Sequence, residues 1–307
     1  MTENSNASSA LRPTGLRSVD LGVADVAASE RFYTTLWGLA RVAERNGSVW
    51  LRAAGPYHHV LALHPRPTAE LLRIDLSAAS RSDVDALYSR VMAHGAARAE
   101  KPAQTGEPGG GYGFSLEDPE GRIWRVIAED ERHASTRSPD RPLGLTHVVL
   151  NTPQQEKAAA FMIDALGFKL SDRSILTFVR CNSNHHSIAF HPGETSTLHH
   201  IAFEVPDIDA VMRGVGRMRD AGHPVEWGLG RHGPGNNVFA YFVAPEDIVI
   251  EYTAEVEQVD DSYRVRSPEE WKYPPGHSDL WGATPPPSRR MLEAQKKIAF
   301  SGAFFKG

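Results

Sequence analysis

Three side chains of the metal-binding type lie on separate strand-like segments in the second half of the chain. They are His147 in GLTHVVL, His200 in TLHHIAFEV and Glu251 in DIVIEYTAE. Two histidines and one carboxylate form the ligand set of non-haem Fe(II) sites that leave one face open to other ligands. Because burying three such groups without a partner would be costly, the set predicts a metal site at which a substrate can bind directly.

The segment TLHHIAFEV also contains two adjacent histidines, and only one of them can be a ligand. Successive side chains of a strand point to opposite faces, so His199 and His200 cannot both face the metal. His147 is the fourth residue of GLTH and His200 is the fourth residue of TLHH, which places both at the same phase of their strands. We therefore assign His200 to the site and interpret His199 as a packing or hydrogen-bonding residue.

The segments that carry these residues occur twice along the chain. In each repeat an alternating strand is followed by a helix-like stretch, and a turn around Pro-Glu joins the last two strands. The similar pairs are residues 15–39 and 144–168, 71–96 and 198–223, and 112–129 and 238–255. Internal repetition of this kind constrains the fold strongly. We predict an α+β protein of two homologous domains, each of two βαβββ modules, followed by a C-terminal tail.

We place the first domain at residues 1–135, the second at 143–255 and the tail at 256–307. The charged, helix-breaking segment EDERHASTRSPDRP, near residues 129–142, is interpreted as the linker. Within the tail, the proline-rich segment SYRVRSPEEWKYPPGHSDLWGATPPPS contains four large aromatic residues: Tyr263, Trp271, Tyr273 and Trp281. Because disordered segments are usually poor in aromatic residues, we predict a lid over the open side of the second domain rather than a disordered extension.

Alignment of the two halves separates the candidate site from the shared scaffold. The first half has three residues that cannot together hold a divalent cation at the positions of the triad: Ser18, Arg73 and Arg125. The first domain is therefore expected to bind no metal. His58, His59 and His64 have no carboxylate at a matching position of the repeat, so we interpret them as structural or surface residues.

The composition is that of an ordinary globular protein and excludes several functions. The 307 residues are 41% hydrophobic and 23% charged, with a net charge of -5 and no basic patch of the kind that binds nucleic acid. The single cysteine, Cys181, rules out an intrachain disulfide. The N-terminus lacks the apolar region of a secretory signal, and no apolar stretch is long enough to span a membrane. We expect a cytoplasmic protein that forms a homo-oligomer.

Five motifs resemble those of the type I extradiol ring-cleavage dioxygenases of the vicinal oxygen chelate superfamily. They are LTHVVL, HHSIAF, LHHIAFEVPD, GLGRHGPGNNVFAYF and IEY. The resemblance implies that the triad binds Fe(II), with Mn(II) as an alternative. It also implies that His186 is the catalytic acid–base residue, and that Tyr241 and His232 assist it. The expected fold is the vicinal oxygen chelate fold.

The reaction implied by this resemblance is cleavage of a catechol-type ring beside its two hydroxyl groups, with O2 as the second substrate. A muconic semialdehyde-type product is expected. Val149 and the segment GHSDLWG depart from parts of the family. Some members have asparagine at the position of Val149, and members that act on aromatic acids can carry an arginine pair where this chain has His277 and Ser278. The second departure favours a ring without a carboxylate.

Two other classes of function remain compatible with the same fold. A glyoxalase- or epimerase-type metal-dependent isomerase would normally supply a fourth protein ligand and would have no need of His186 and Tyr241. A non-catalytic small-molecule binding module of the bleomycin-resistance type would lack the triad. Bound metal argues against the binding module, and consumption of O2 separates the dioxygenase from the isomerase.

Overall fold

The computed structural model describes residues 11–95, 97–136 and 138–304. The start of the N-terminal segment considered as a possible signal, residues 1–10, lies outside these residues. Within the described chain, strands and short helices alternate in four similar modules, which a tail follows. The predicted α+β fold with an internal repeat is confirmed.

The first half consists of two modules joined between residues 65 and 70. The first contains β1 (Gly15–Val23), α1 (Val26–Phe32), β2 (Ala40–Arg45), β3 (Ser48–Arg52) and β4 (Leu61–Pro65). A π-helical turn, Tyr33–Trp37, extends α1. The second module contains β5 (Glu70–Ser77), α2 (Arg81–His94), β6 (Arg98–Ala99), β7 (Ala103–Gln104), β8 (Tyr112–Glu117) and β9 (Ile123–Ala128).

The second half repeats this order. Its first module contains β10 (Gly144–Thr152), α3 (Gln155–Leu166), β11 (Lys169–Arg173), β12 (Thr177–Arg180) and β13 (Ile188–Pro192). Its second module contains β14 (Thr197–Glu204), α4 (Ile208–Asp220), β15 (Trp227–Arg231), β16 (Val238–Val243) and β17 (Val249–Ala254). A 3-10 turn, Pro245–Asp247, joins the last two strands.

The described strands of each half form a sheet around one central antiparallel pair of strands. In the second half β10 pairs with β14, and each of these strands has a parallel neighbour: β13 beside β10, and β17 beside β14. Antiparallel pairing then adds β12 and β11 on one side and β16 and β15 on the other. The first half has the same arrangement around β1 and β5. The two modules of a half therefore form one continuous sheet with the central pair at its middle.

The helices begin and end where the local sequence supplies capping groups. The side chains of Asp25, Ser80 and Asp207 accept a hydrogen bond from a backbone N–H of the first turn of α1, α2 and α4, respectively. Gly95 ends α2 and Gly167 ends α3, both in the left-handed conformation that favours glycine. No helix within the described residues is both long and apolar enough to cross a lipid bilayer.

The tail and an aromatic contact connect the two halves. Trp37 stacks on Tyr252 with ring centroids 3.6 Å apart, and the Tyr252 hydroxyl donates to the Trp37 carbonyl at 2.8 Å. The tail adds a 3-10 turn (Pro268–Glu270), α5 (Arg289–Ala294) and β18 (Ile298–Phe300). Strand β18 pairs with β14 of the second half and with β5 of the first. The tail up to residue 304 is therefore part of the folded protein, which argues against a disordered extension.

Candidate active site

Strand register brings the predicted ligands together on one face of the second-half sheet. His147 on β10 lies opposite Ala202 on β14, and Ala202 lies beside Glu251 on β17. His200 is two residues before Ala202, so it shares the face of Ala202. The three side chains thus converge from the three central strands.

The ligand atoms of the triad are already close to one another. The Nε2 atoms of His147 and His200 each lie 3.2 Å from Glu251 Oε2, and 3.4 Å separates the two Nε2 atoms. For metal–ligand bonds of about 2.1 Å, two ligands at a right angle would be about 3.0 Å apart. The three side chains are buried, with 2%, 4% and 0% of their surface exposed for His147, His200 and Glu251. The observed spacing and donor types therefore fit a divalent transition-metal ion.

The charge states of Glu251 and His200 also suit a cation. Burial alone would raise the pKa of Glu251, but His147 and hydrogen bonds from both histidines hold the pKa of this carboxyl well below its usual range. Burial lowers the pKa of His200, although Glu251 opposes the shift. An ionised carboxylate and a neutral imidazole are the forms that bind a metal.

The side chain of His199 forms a hydrogen bond with the His200 ring. The Nδ1 atoms of the two histidines are 2.7 Å apart, and the Gln295 side-chain amide is 3.2 Å from His199 Nδ1. An amide N–H can only donate, so His199 Nδ1 accepts and His200 Nδ1 carries the hydrogen. The Nε2 atom of His200 is then free to bind a metal. In metal-binding histidines one ring nitrogen usually binds the metal while the N–H of the other donates a hydrogen bond. His199 is a hydrogen-bonding residue, one of the two roles expected for it.

The three residues assigned to catalysis by resemblance all surround the triad. The ring of His186 lies 4.2 Å from that of His147, and the ring of Tyr241 lies 5.0 Å from that of His200. His232 Nε2 is 3.0 Å from the Tyr241 hydroxyl oxygen and 3.9 Å from Glu251 Oε1. The structure therefore brings all six predicted site residues into one cluster.

Burial controls protonation around the triad. It lowers the pKa of His186 well below its ordinary value, and the neighbouring His147 acts in the same direction. Burial also lowers the pKa of His232 to about 4, although Glu251 opposes the shift. The pKa of Tyr241 is raised well above its ordinary value by burial and by the charge of Glu251. His232 is thus neutral at neutral pH, and Tyr241 keeps its proton.

Sequence reasoning missed Asn237, which forms a hydrogen bond with the candidate carboxylate ligand Glu251. Its side-chain amide lies 3.3 Å from Glu251 Oε1 and 2.7 Å from the Thr253 hydroxyl, and the residue is fully buried. Asn237 belongs to GRHGPGNN, the glycine-rich segment that leads from β15 to β16. In that loop Gly235 has a φ of +81°, and a Cβ there would lie 3.0 Å from a ring atom of His186. The glycine is needed both for the turn and for close approach to His186.

The first half has ion pairs where the second has its triad. Arg73 Nη2 lies 2.6 Å from Asp20, Arg73 Nε lies 2.9 Å from Asp75, and Arg125 pairs with both Asp75 and Glu107. Asp20, Asp75 and His59 are also close enough together to hold a metal ion. The guanidinium groups already supply positive charge to both aspartates, so absence of metal from the first domain stays our prediction.

The three first-half histidines are buried rather than exposed. His58, His59 and His64 have 5%, 0% and 1% of their surface accessible, so of the two roles expected for them the surface role is wrong. The His58–His59 pair, moreover, corresponds in the repeat to His185–His186, and in both pairs the Nδ1 atoms are about 3 Å apart. This correspondence between HHVLAL and HHSIAF was visible in the sequence.

Known proteins match the chain over both halves. The family model described as Glyoxalase/Bleomycin resistance protein/Dioxygenase superfamily matches residues 15–126 and 144–252. Metapyrocatechase 2 of Cupriavidus necator is 31% identical over 202 residues, 58% of this chain and 62% of that protein. The iron-dependent extradiol dioxygenase of Rhodococcus jostii is 33% identical over 135 residues, 38% of this chain and 45% of that protein. The chain therefore spans between about two-fifths and two-thirds of the length of these curated relatives.

A solved structure matches over nearly the whole chain. The Mn(II)-bound glyoxalase from Novosphingobium aromaticivorans is 37% identical, with a TM-score of 0.87. The match covers 96% of this chain and 98% of that one. The similarity includes the tail as well as the two repeats.

Proposed function

Because the chain belongs to the Glyoxalase/Bleomycin resistance protein/Dioxygenase superfamily, we propose that it is an extradiol dioxygenase. It cleaves a catechol-type ring beside its two hydroxyl groups, incorporates both atoms of O2 and releases a muconic semialdehyde-type product. His147, His200 and Glu251 hold Fe(II), or Mn(II) in its place. The observation that carries the proposal is the buried triad together with His186, Tyr241 and His232 around it.

The metal and the protein contribute differently to this reaction. When bound, the metal ion supplies the Lewis acidity that lowers the pKa of a catechol and the electron path that reaction of triplet O2 with a closed-shell ring requires. The protein binds and orients the ring, excludes water and moves protons. The burial of all three ligands supports the exclusion of water.

His186 is placed to move the proton of the ring hydroxyl. Its ring packs between His147 and Phe178, with centroids 4.2 and 5.0 Å away. A buried neutral imidazole can accept a proton from the hydroxyl and return it to an oxygen of the opened ring, so the enzyme ends the cycle unchanged. His186 is the acid–base residue of the proposed reaction.

Tyr241 and His232 act as a pair that holds the deprotonated ring. The His232 Nε2 atom lies 3.0 Å from the Tyr241 hydroxyl oxygen. A hydroxyl that keeps its proton can donate a hydrogen bond to a catecholate oxygen, and the neutral imidazole fixes its direction. Such a bond orients the ring without adding charge to the site.

Replacing Tyr241 by phenylalanine is expected to lower kcat/KM modestly and to leave the iron content unchanged. The variant loses one hydrogen bond, worth about 0.5–1.5 kcal/mol, or roughly 2- to 10-fold in rate. Steady-state kinetics and metal analysis measure both quantities. The matched control is Tyr252→Phe on β17, which loses a buried hydrogen bond to Trp37 on the face of the strand opposite to Glu251. An equal loss of activity in the two variants would contradict the role of Tyr241.

The manganese-bound glyoxalase among the similar structures makes a metal-dependent isomerase the second candidate function. Such isomerases normally use a fourth protein ligand. Within the described residues, the group of possible ligands that contains Glu251 has three members. This difference favours the dioxygenase.

The test of function is an oxygen-electrode screen of the Fe(II)-loaded protein against uncharged and carboxylated catechols. We expect O2 uptake equal to the amount of yellow ring-opened product. Because His277 and Ser278 occupy the positions of the arginine pair, uncharged rings should be preferred. Turnover of a glutathione hemithioacetal under anaerobic conditions, without O2 uptake on any catechol, would establish the isomerase instead.

The tail is proposed to act as a lid, and its contacts allow a direct test. Trp271 and Tyr273 pack against Gly233, next to His232, and the Leu280 amide donates to the Arg231 carbonyl at 2.8 Å. Deletion of the whole tail would also remove β18, which pairs with both halves. Point variants are therefore the better experiment.

The double variant Trp271→Ala/Tyr273→Ala is expected to retain iron, to raise KM for catechols and to inactivate faster during turnover. Removal of both rings opens the outer side of the loop that carries His232 and admits water. Progress curves and iron analysis give these quantities. The control is Leu292→Ala, an exposed tail residue on α5. If KM and the rate of inactivation during turnover are unchanged in the double variant, the tail serves only in packing.

A further inference from the structure

A buried chain of hydrogen bonds leads away from His186 on the side opposite to the triad. The Nδ1 atoms of His185 and His186 are 3.0 Å apart, and His185 Nε2 lies 2.7 Å from Asp172 Oδ2. His185 and Asp172 are both fully buried. Asp172 lies on β11, on a strand that carries none of the proposed ligands.

Two residues of the tail donate hydrogen bonds to Asp172, at the outer end of this series of hydrogen bonds. The Tyr263 hydroxyl donates to Asp172 Oδ2 at 2.8 Å, and the backbone N–H of Arg266 donates to Asp172 Oδ1 at 2.7 Å. Burial alone would raise the pKa of Asp172, but hydrogen bonds from His185, from the Arg266 backbone and from Tyr263 lower it. Asp172 is therefore an ionised carboxylate, which only accepts hydrogen bonds.

An ionised Asp172 determines which ring nitrogens carry hydrogen. His185 Nε2 must donate to the carboxylate. In a neutral His185 the Nδ1 atom then has no hydrogen and accepts, so His186 Nδ1 must donate to it. The Nε2 atom of a neutral His186 is left without hydrogen.

The first half shows the same direction of hydrogen bonding in the corresponding pair. His59 Nε2 lies 3.1 Å from Arg17 Nη1, and a guanidinium can only donate. His59 Nε2 therefore accepts, its Nδ1 carries the hydrogen, and the 2.9 Å contact to His58 Nδ1 is a donation from His59. The group that orients the pair differs between the halves. In the second half it is the Asp172 carboxylate, which contacts the first histidine of the pair, His185. In the first half it is Arg17, which contacts the second histidine, His59.

We propose that Asp172 and His185 are positioning residues that fix the tautomer of His186, with Nδ1 protonated and Nε2 free to accept a proton from the substrate. The tail segment Tyr263–Arg266 holds the carboxylate in place, so a folded tail is a condition for this arrangement. The proposal rests on the proposed function in assigning His186 to catalysis. The tautomer itself can be observed without turnover.

The first experiment reads the tautomer by nuclear magnetic resonance. The full chain is labelled with 15N-histidine, and long-range 1H–15N spectra are recorded with and without Zn(II). Signals of the pair are assigned from their loss in His186→Phe and His185→Gln. We expect a hydrogen on Nδ1 of His186 and none on Nε2, and a mixture of tautomers in Asp172→Asn, because an amide can donate as well as accept. A hydrogen on Nε2 in the unaltered chain would overturn the proposal.

The second experiment measures kinetics of the Fe(II)-loaded protein. Asp172→Asn should lower kcat on the order of 10- to 100-fold, with KM and iron content nearly unchanged. In the His186→Phe background the same substitution should have no further effect, because its influence passes through His186. The control is Asp220→Asn, the same substitution at the exposed C-terminal end of α4. It should retain most of kcat.

The outcomes separate this proposal from the proposed function. If Asp172→Asn lowers kcat equally with and without His186, Asp172 supports only the fold and the positioning role is wrong. If the unaltered protein cleaves no catechol, the proposed function fails, and the tautomer spectra still decide the arrangement of His186. A shift of tautomer in Asp172→Asn but not in Asp220→Asn supports the proposal in either case.

Discussion

Replacement of His200 by alanine is expected to abolish iron binding and ring cleavage together. His200 Nε2 lies 3.2 Å from Glu251 and 3.4 Å from His147, so its removal leaves two protein ligands and opens one side of the site. Two ligands of this type rarely retain a labile divalent ion. The measurement is iron content after anaerobic loading and desalting, with O2 uptake on the same samples. Retention of one iron per chain in the folded variant would remove His200 from the metal site.

Two further variants control this result. His133→Ala alters the other His/His/Glu group near the surface, formed with His58 and Glu131, and it should leave iron and activity unchanged. His199→Ala removes the acceptor of the His200 Nδ1 hydrogen. Loss of such an outer partner typically weakens metal affinity about 10- to 100-fold. We therefore expect the iron content and the activity of His199→Ala to lie between those of His133→Ala and those of His200→Ala. The reverse order would show that the strand-face assignment is wrong.

Replacement of His186 by phenylalanine is expected to give a protein that binds iron and catechol but turns over slowly. His186 is in contact with His147 yet supplies no atom to the triad. Phenylalanine keeps the ring packing against Phe178 and loses only the ability to accept and donate a proton. Loss of one positioned acid–base group typically costs on the order of 10²–10⁴ in rate.

Anaerobic catechol binding, followed by the spectrum of the bound ring, separates this loss from a loss of affinity. Single-turnover measurements after addition of O2 then give the rate of the chemical steps. The control is His223→Phe, because His223 is half-buried in the turn after α4 and packs on Phe32, with ring centroids 5.1 Å apart. Turnover at the unaltered rate in His186→Phe would exclude His186 from the mechanism.

The triad could be predicted from the sequence because its determinants are local. Strand side chains alternate with a period of two, so the positions of His147 and His200 within their strands are enough to assign the face. Comparison of the two halves then removes what belongs to the shared scaffold, because Ser18, Arg73 and Arg125 occupy the same positions without the metal-binding groups. The assignment of His186, Tyr241 and His232 depended on the resemblance to a family and not on spacing.

The supporting contacts could not be predicted, because they join residues that no local pattern relates. Asp172 meets His185 only when β11 lies beside the turn after β12, and it meets Tyr263 and Arg266 only when the tail returns across that strand. Asn237 reaches Glu251 through pairing of the neighbouring strands.

By itself, the sequence determined the repeat, the α+β architecture and the candidate ligands, because hydrophobic alternation and residue chemistry act over a few residues at a time. The tertiary structure alone decided which neighbours control those ligands. The direction of the hydrogen bonds at His199 and His185, and the pKa of Asp172, depend on atoms about 3 Å away in space but up to 96 residues away in the chain. Burial and partner geometry of this kind arise only when the strands and the tail have packed together.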